Sequence, residues 1–391
     1  MLRHFPQEEY EARWANVERL IVADGFETAV VFGRGGGSMD NCGDILYLSN
    51  HYSVSGGMDS RIWSARSFSG IILQKGQAPE LHIDEPEPRR DLVSIENVYC
   101  DNHPFLSIAQ RLKERGISGR VAFCGSWFVP VKYWRQLIEA TPDIVWDDCD
   151  DLVRRARAIK SPRELDTYRI AGESATLATD ALMQGLVAGM TGCAAAGEAA
   201  KIVVARGGRI QAIGTNYGDT MDHDYRFPLT GATSDAAAPG DMVRGTVHAA
   251  FQQGYYLDPG RTAVRGTPTS RQARLMEATA DIVLRLSDMM RPGTLLKDVA
   301  AEGDRLTAAF GGAESAIMKN FPFYGHGIGL SFEQPRISTV MSEPDDRVKE
   351  NMVFGVEAFL ADEEAGSAFV EDILIIGKDQ NEKLTQSPYV Y

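Results

Sequence analysis

Lysine and arginine form no cluster along the 391 residues, and the 40 of them are outnumbered by 54 aspartates and glutamates, for a formal charge of −14 and a pI near 5.0. A phosphate backbone or an anionic membrane calls for concentrated basic residues, so this lack excludes nucleic acid and membrane as expected partners. Cysteine is equally sparse. Cys42, Cys100, Cys124, Cys149 and Cys193 are odd in number and scattered, without the paired spacing of a zinc knuckle or a redox motif, and read as reduced structural thiols. No window approaches the roughly 20 apolar residues of a membrane span. Glu8 and Glu9 stand where a secretory signal would carry its apolar run, which makes a cytoplasmic location the default expectation. The glycine-rich Gly33-Arg34-Gly35-Gly36-Gly37 has no Gly-Lys-Ser/Thr after it and opens no helix, so it reads as a connecting loop rather than a phosphate cradle.

What is present suits two domains, each with its own core. Residues 7–24 have amphipathic helical spacing, Thr28 to Phe32 read as a buried strand, and Ile71–Leu73 with Leu81–Ile83 as a hairpin. A helix from Leu106 to Arg115 then feeds a strand from Arg120 to Phe123, which makes the first 158 residues a mixed α/β domain. The second domain, 159–391, opens where Ser161 can cap a helix with Pro162 at its first position and Glu164 at the capping-box position. That helix carries Leu165, Tyr168, Ala171, Ala175, Ala178 and Leu182 on one small-residue face. Glycines then recur at a fixed offset: Gly189, Gly207 and Gly208 are answered by Gly293, Gly311 and Gly312. Each set is preceded by a long helix and followed by strand-like segments, so two α/β halves with strands inward would leave a cleft between them.

Four ionisable residues fall in those strand-like or glycine-tight segments: Asp258 in Gly254–Thr262, His326 in Gly325–Gly329, Glu357 after Asn351, and Glu371 beside Asp372. Burying such groups is costly unless a positive charge meets them. A divalent cation is the natural partner.

These stretches resemble the creatinase/prolidase family, also called the pita-bread or M24 metallopeptidase family, which includes aminopeptidase P, prolidase and methionine aminopeptidase. The resemblance is carried by Arg157–Pro162, Pro239-Gly240-Asp241-Met242-Val243, Gly254–Thr262, Gly325–Leu330, Asn351–Glu357, and Glu371-Asp372 followed by Leu384-Thr385. It implies a creatinase-like α/β domain followed by a pita-bread domain with an internal pseudo-twofold repeat. It also implies a homodimer that hydrolyses a C–N amide-type bond in a small molecule or short peptide, such as an Xaa-Pro peptide.

In the family two metals are held by two Asp, one His and two Glu, and four of these map onto Asp258, His326, Glu357 and Glu371. The remaining Asp falls at Thr246 when counted forward from Gly240-Asp241, and at Val247 when counted back from Gly254-Tyr255. Neither is an anionic ligand, and the mismatch suggests an insertion or bulge. One ion per chain is the consequence. An imidazole with three carboxylates suits Mn, Fe, Co or Zn, and such an ion makes a bound water acidic enough to attack an amide. Glu357 is the choice for passing a proton to the leaving nitrogen. His248, two residues beyond Thr246, is a substitute ligand, an acid/base group, or a strand histidine that only satisfies a local hydrogen bond, and a bulge would flip its direction.

Three departures bear on substrate. Glu333-Gln334-Pro335-Arg336 stands where His-Glu-x-Pro is usual, Phe369 replaces the Arg two residues before the last Glu, and His223 is the one histidine available ahead of Pro239. Tyr256, Glu333, Arg336 and His223 are the candidate substrate contacts. Two rivals keep the fold: a metal-free, creatinase-like hydrolase with His326 as the acid/base group, and a non-catalytic peptide-binding module.

Overall fold

The structure is a computed structural model that describes residues 5–35, 43–53 and 67–391. Gly36, Gly37, Cys42 and the first four residues lie outside it. The chain divides into two compact units, Met1–Arg157 and Ala158–Tyr391.

The first unit runs α1 (Gln7–Ala23), β1 (Thr28–Arg34), α2 (Gly43–Ser49), β2 (Phe68–Gln74), β3 (Glu80–Ile83), β4 (Asn97–Cys100), α3 (Pro104–Glu114), β5 (Gly119–Cys124), α4 (Val131–Ala140), β6 (Ile144–Asp148) and α5 (Leu152–Ala158). Its sheet has the order β4-β3-β2-β1-β5-β6, with β1, β2 and β3 antiparallel and β5 parallel to both β1 and β6. Gly33 and Arg34 extend β1 rather than starting a loop. Pairing with Ser69 and Phe68 of β2 continues through both of them. Val30, Phe32, Phe105, Ile108 and Phe123 fill one side of this sheet.

In the second unit α6 (Pro162–Val187) starts as its sequence dictates. Ser161 accepts from the Glu164 amide and Glu164 accepts from the Ser161 amide, which satisfies two N-terminal donors. Its alanine face is buried, and Gly172 packs so closely that a Cβ there would meet the Leu384 carbonyl at 2.8 Å. Then follow α7 (Gly192–Ala205), β7 (Arg209–Tyr217), β8 (Met242–Ala250), β9 (Tyr256–Leu257) and β10 (Gly260–Val264). The second half repeats the plan with α8 (Ser270–Met289), α9 (Leu296–Phe310), α10 (Ala316–Asn320), β11 (Gly325–Ile328), β12 (Phe332–Arg336), β13 (Val353–Asp362), β14 (Gly366–Ile375) and the short β15 (Glu382–Lys383).

The repeated glycines do the same job in each half: φ is +85° at Gly189 and +95° at Gly293, then +78° at Gly207 and +69° at Gly311. Each such turn needs a left-handed residue, which glycine adopts without a Cβ penalty. The strands form one sheet in the order β12-β11-β13-β14-β10-β8-β7. Read outward from its middle, β10-β8-β7 of one half mirrors β14-β13-β11 of the other. The halves join where β10 meets β14, and the join is unusual. One residue pair, Gly260 with Glu371, is in register, and beyond it the Thr262 hydroxyl both donates to the Phe369 carbonyl and accepts from the Phe369 amide, at 3.0 and 2.9 Å.

Candidate metal centre

Alternate residues of each strand face the cleft, so its floor can be followed row by row. Pairing places Glu357, Glu371, Gly260, Thr246 and Gly214 in one row across β13, β14, β10, β8 and β7. On one side lies a row of Phe359, Phe369, Thr262, Arg244 and Asn216. On the other side the register sets His248 across from Asp258, between the pairs Thr246 with Gly260 and Ala249 with Leu257. The pairing of β8 runs without a shift from Met242 to Ala250 on this side, so the expected bulge is not there. It sits on the neighbouring β7, between Ile210 and Ala212, and the parity of β8 is kept: Thr246 and His248 share the cleft face.

Asp258, His326, Glu357 and Glu371 converge. His326 Nε2 lies 3.4 Å from Asp258 Oδ2, 3.5 Å from Glu371 Oε1 and 4.0 Å from Glu357 Oε1. One ligand atom each from Asp258, His326 and Glu371 all fall within 4.8 Å of one another, a spacing that could hold a metal ion, with Glu357 at the edge of the group. Nδ1 of His326 is 3.0 Å from the Gly327 carbonyl, which can only accept. Nδ1 is thereby held by the backbone, and Nε2 is the nitrogen turned toward the carboxylates, the orientation a metal-ligating imidazole needs. The ring lies under Phe332, with centroids 3.6 Å apart. Gly355 makes room for the cluster, since a Cβ there would come within 2.4 Å of Glu371 Oε1.

The electrostatics are those of crowded carboxylates without enough positive charge. Burial pushes the Glu357 carboxyl up to about 8, with Asp258 adding to the rise and Arg336 opposing it. Burial, then Asp258 and Glu357, hold Glu371 well above its ordinary value. At Asp258 burial is the largest influence and acts upward too, yet His326, His248 and Glu371 together turn the net shift down. Asp258 Oδ1, Glu357 Oε1 and Glu371 Oε1 are buried with no hydrogen-bond partner. Three carboxylate oxygens without a hydrogen-bond partner around one imidazole nitrogen are a donor set that fits a divalent cation.

The other sequence candidates are spread differently. His248 lines the cavity, its Nδ1 2.8 Å from the Tyr256 hydroxyl, and burial lowers its pKa. Tyr256 stands behind it, buried, with its phenol pushed well up by burial. Glu333 accepts from the Leu330 amide at 2.9 Å and braces the turn after His326. Arg336 pairs in register with His326 and lays its guanidinium 3.8 Å from the Phe332 ring centre. His223 is exposed, and its carbonyl, not its ring, is what the site uses: Arg244 donates to it.

The cavity, of about 180 Å³, is lined in addition by residues that motif reading did not single out, among them Asp224, Tyr225, Arg244, Phe359 and Phe321. For Arg244 and Phe359 a signal existed. They have the parity of Thr246 and of Glu357 on their own strands.

The profile of Metallopeptidase family M24 matches residues 166–378. An Xaa-Pro dipeptidase of Pyrococcus horikoshii is 26% identical over 326 residues, 81% of this chain and 87% of that protein. An Xaa-Pro dipeptidase of Lactobacillus helveticus is 21% identical over 353 residues, 87% of this chain and 92% of that one. Among solved structures, the prolidase from Pyrococcus horikoshii superposes with a TM-score of 0.77 at 19% identity, covering 96% of this chain and 99% of its own. Aminopeptidase P from E. coli gives 0.74 at 17%, covering 98% and 95%. These structural likenesses establish a shared fold.

Proposed function

The chain belongs to metallopeptidase family M24, and from that premise we propose that the cavity hydrolyses the amide bond of a short peptide, of the Xaa-Pro kind its relatives are named for, with one divalent ion held by Asp258, His326, Glu371 and Glu357. The observation that carries this reading is the trio of buried carboxylate oxygens without a hydrogen-bond partner, gathered with Nε2 of His326. Mn, Fe, Co and Zn all suit one imidazole with carboxylates. When bound, such an ion polarises the amide carbonyl and makes water more acidic.

The residues of the chain supply the rest. Glu357, at the edge of the ligand group, is placed to take up a proton at its carboxylate and pass it to the leaving nitrogen. His248 stays neutral because burial lowers its pKa, and Tyr256 fixes its Nδ1, which leaves Nε2 to hydrogen-bond the substrate. Phe332 shields the imidazole from water. A single ion rather than two is supported by the second position itself. Thr246 stands there, and its methyl and the Phe369 ring edge both crowd the space above Gly260, at 2.8 and 2.2 Å from where a Cβ would be.

Metal analysis of the purified protein, with hydrolysis of Ala-Pro before and after chelation, tests this. We expect about one ion per chain, loss of hydrolysis on chelation with recovery on adding Mn, and loss of bound ion in Asp258→Ala. Undiminished hydrolysis with no ion bound would instead make His326 the acid/base group.

A further inference from the structure

Arg244 is 3% exposed, yet it lines the cavity. It projects from the same face of β8 as Thr246 and His248, in the row next to Glu357 and Glu371. Its Nη1 donates to the Met221 carbonyl at 3.1 Å, and its Nη2 donates to the carbonyls of His223 and Asp224. A guanidinium has five N–H donors, so these three bonds leave two. Among the described residues no carboxylate forms an ion pair with it. Asp224, which lines the same cavity, meets the guanidinium through its backbone carbonyl, and the carboxylate of Asp222 is engaged by Ser315 and the Ala316 amide. A buried charge ordinarily has a counter-charge. The charges of Asp224 and Asp222 only partly offset the burial of Arg244, which lines the cavity next to Phe359 and Phe369, whose stacked rings lie 5.5 and 6.0 Å from its guanidinium carbon.

We propose that Arg244 is the group that receives a free carboxylate of the substrate, within one or two residues of the cleaved amide, while Phe359 and Phe369 take the apolar part between. The inference rests on the hydrolase reading above. Rows on one strand face are about 7 Å apart, and a peptide residue spans about 3.5 Å, so a carboxylate next to Arg244 belongs to a dipeptide or tripeptide with its amide over the metal-ligating row. The small cavity agrees with that size. Phe369, where an arginine was expected, and Arg244, where none was, occupy the same row, so the positive charge has moved two strands across the floor.

The test compares Ala-Pro with its C-terminal amide, in the metal-loaded full chain, for the wild type, Arg244→Met and Arg244→Lys. For the wild type kcat/KM should favour the free acid by about 100-fold, the scale of losing a buried charge partner. In Arg244→Met the acid falls far more than the amide and the ratio collapses toward one. Arg244→Lys, which keeps a cation able to hold the loop carbonyls, retains about a tenfold preference. Equal treatment of acid and amide by the wild type overturns the proposal, and so does a ratio unchanged in a folded Arg244→Met protein, since either outcome makes Arg244 only a clamp on residues 221–224. If Arg244→Met does not fold, the wild-type and Arg244→Lys ratios decide. Should neither peptide be cleaved with any of the four metals, the hydrolase reading has failed on its own account. Calorimetric binding of the same two peptides then settles the anion site: an acid preference lost in the variants upholds it, while equal or absent binding of the two peptides rejects it.

Discussion

The two nitrogens of His326 have different surroundings. The Gly327 carbonyl lies at hydrogen-bond distance from Nδ1, and three carboxylates face Nε2. Without a cation, and with Asp258 shifted the other way, burial and mutual repulsion make Glu357 and Glu371 keep their protons. Glu357 does so up to about pH 8 in the fold but would release its proton near 4.5 in the unfolded chain. Between those values the native state binds more protons than the denatured state, so this stabilisation is complete below about 4.5 and is lost as pH rises through about 8. The metal-free protein should therefore melt at a temperature that declines by several degrees between pH 5 and pH 8.5, with a shallower decline in Glu357→Gln. Saturating Mn should remove most of the slope by taking the place of the proton. Melting curves in chelating buffers decide it: a flat or rising trend without metal would rule out a protonated Glu357.

At the scale of elements, the underside of the join between β10 and β14 is held by charge. Arg261 is fully buried and donates to Asp372 Oδ1, to the Glu371 carbonyl and to the carbonyls of Ser387 and Pro388. Asp372 also accepts from Tyr389 and meets Lys383. Arg261→Met keeps most of the volume but strips a buried carboxylate of its main partner, for a loss of roughly 3 kcal/mol in denaturant titrations. A loss below about 1 kcal/mol would mean that Lys383 and Tyr389 suffice. The sequence spoke clearly about most such elements. Asp258, His326, Glu357 and Glu371 were gathered into one set by the family resemblance, whereas the Ser161 cap, the alanine face of α6 and the paired glycines could all be read because each rests on a local rule of spacing or turn chemistry. Arg244 and Phe359 could not, although their parity was visible, because parity tells which face a side chain takes and not which distant strand supplies its neighbours. The supposed bulge failed for a related reason. Counting along one strand cannot tell which member of a pair absorbs an extra residue, and here β7 does.

At the scale of the molecule, the proposed ligands come from both halves of the second unit: Asp258 from the first, His326, Glu357 and Glu371 from the second. Binding an ion is thus equivalent to adding a crosslink between the halves that exists only in the native state. At 100 times its dissociation constant an ion adds about 2.7 kcal/mol of stability. Hydrogen exchange followed with and without Mn should show slower exchange at the amides of β10 and β14, while strands β1–β6 of the first unit stay unchanged. Equal protection of both units, or none in the second, would contradict an ion bridging the halves. Among the described residues no helix is long and apolar enough to cross a membrane.

The glycines of the floor carry a last consequence. At Gly214, Gly260 and Gly355 the space a methyl group would claim is held instead by a wall residue: Thr246 and Tyr225 at the first, Phe369 and Thr246 at the second, Glu371 at the third. Floor and walls are therefore interlocked like the pieces of a sliding puzzle, and no bulk can be added below without evicting something above. New substrate preferences are open to this scaffold through positions outside that interlock, such as Phe359 and Phe321 at the cavity edge.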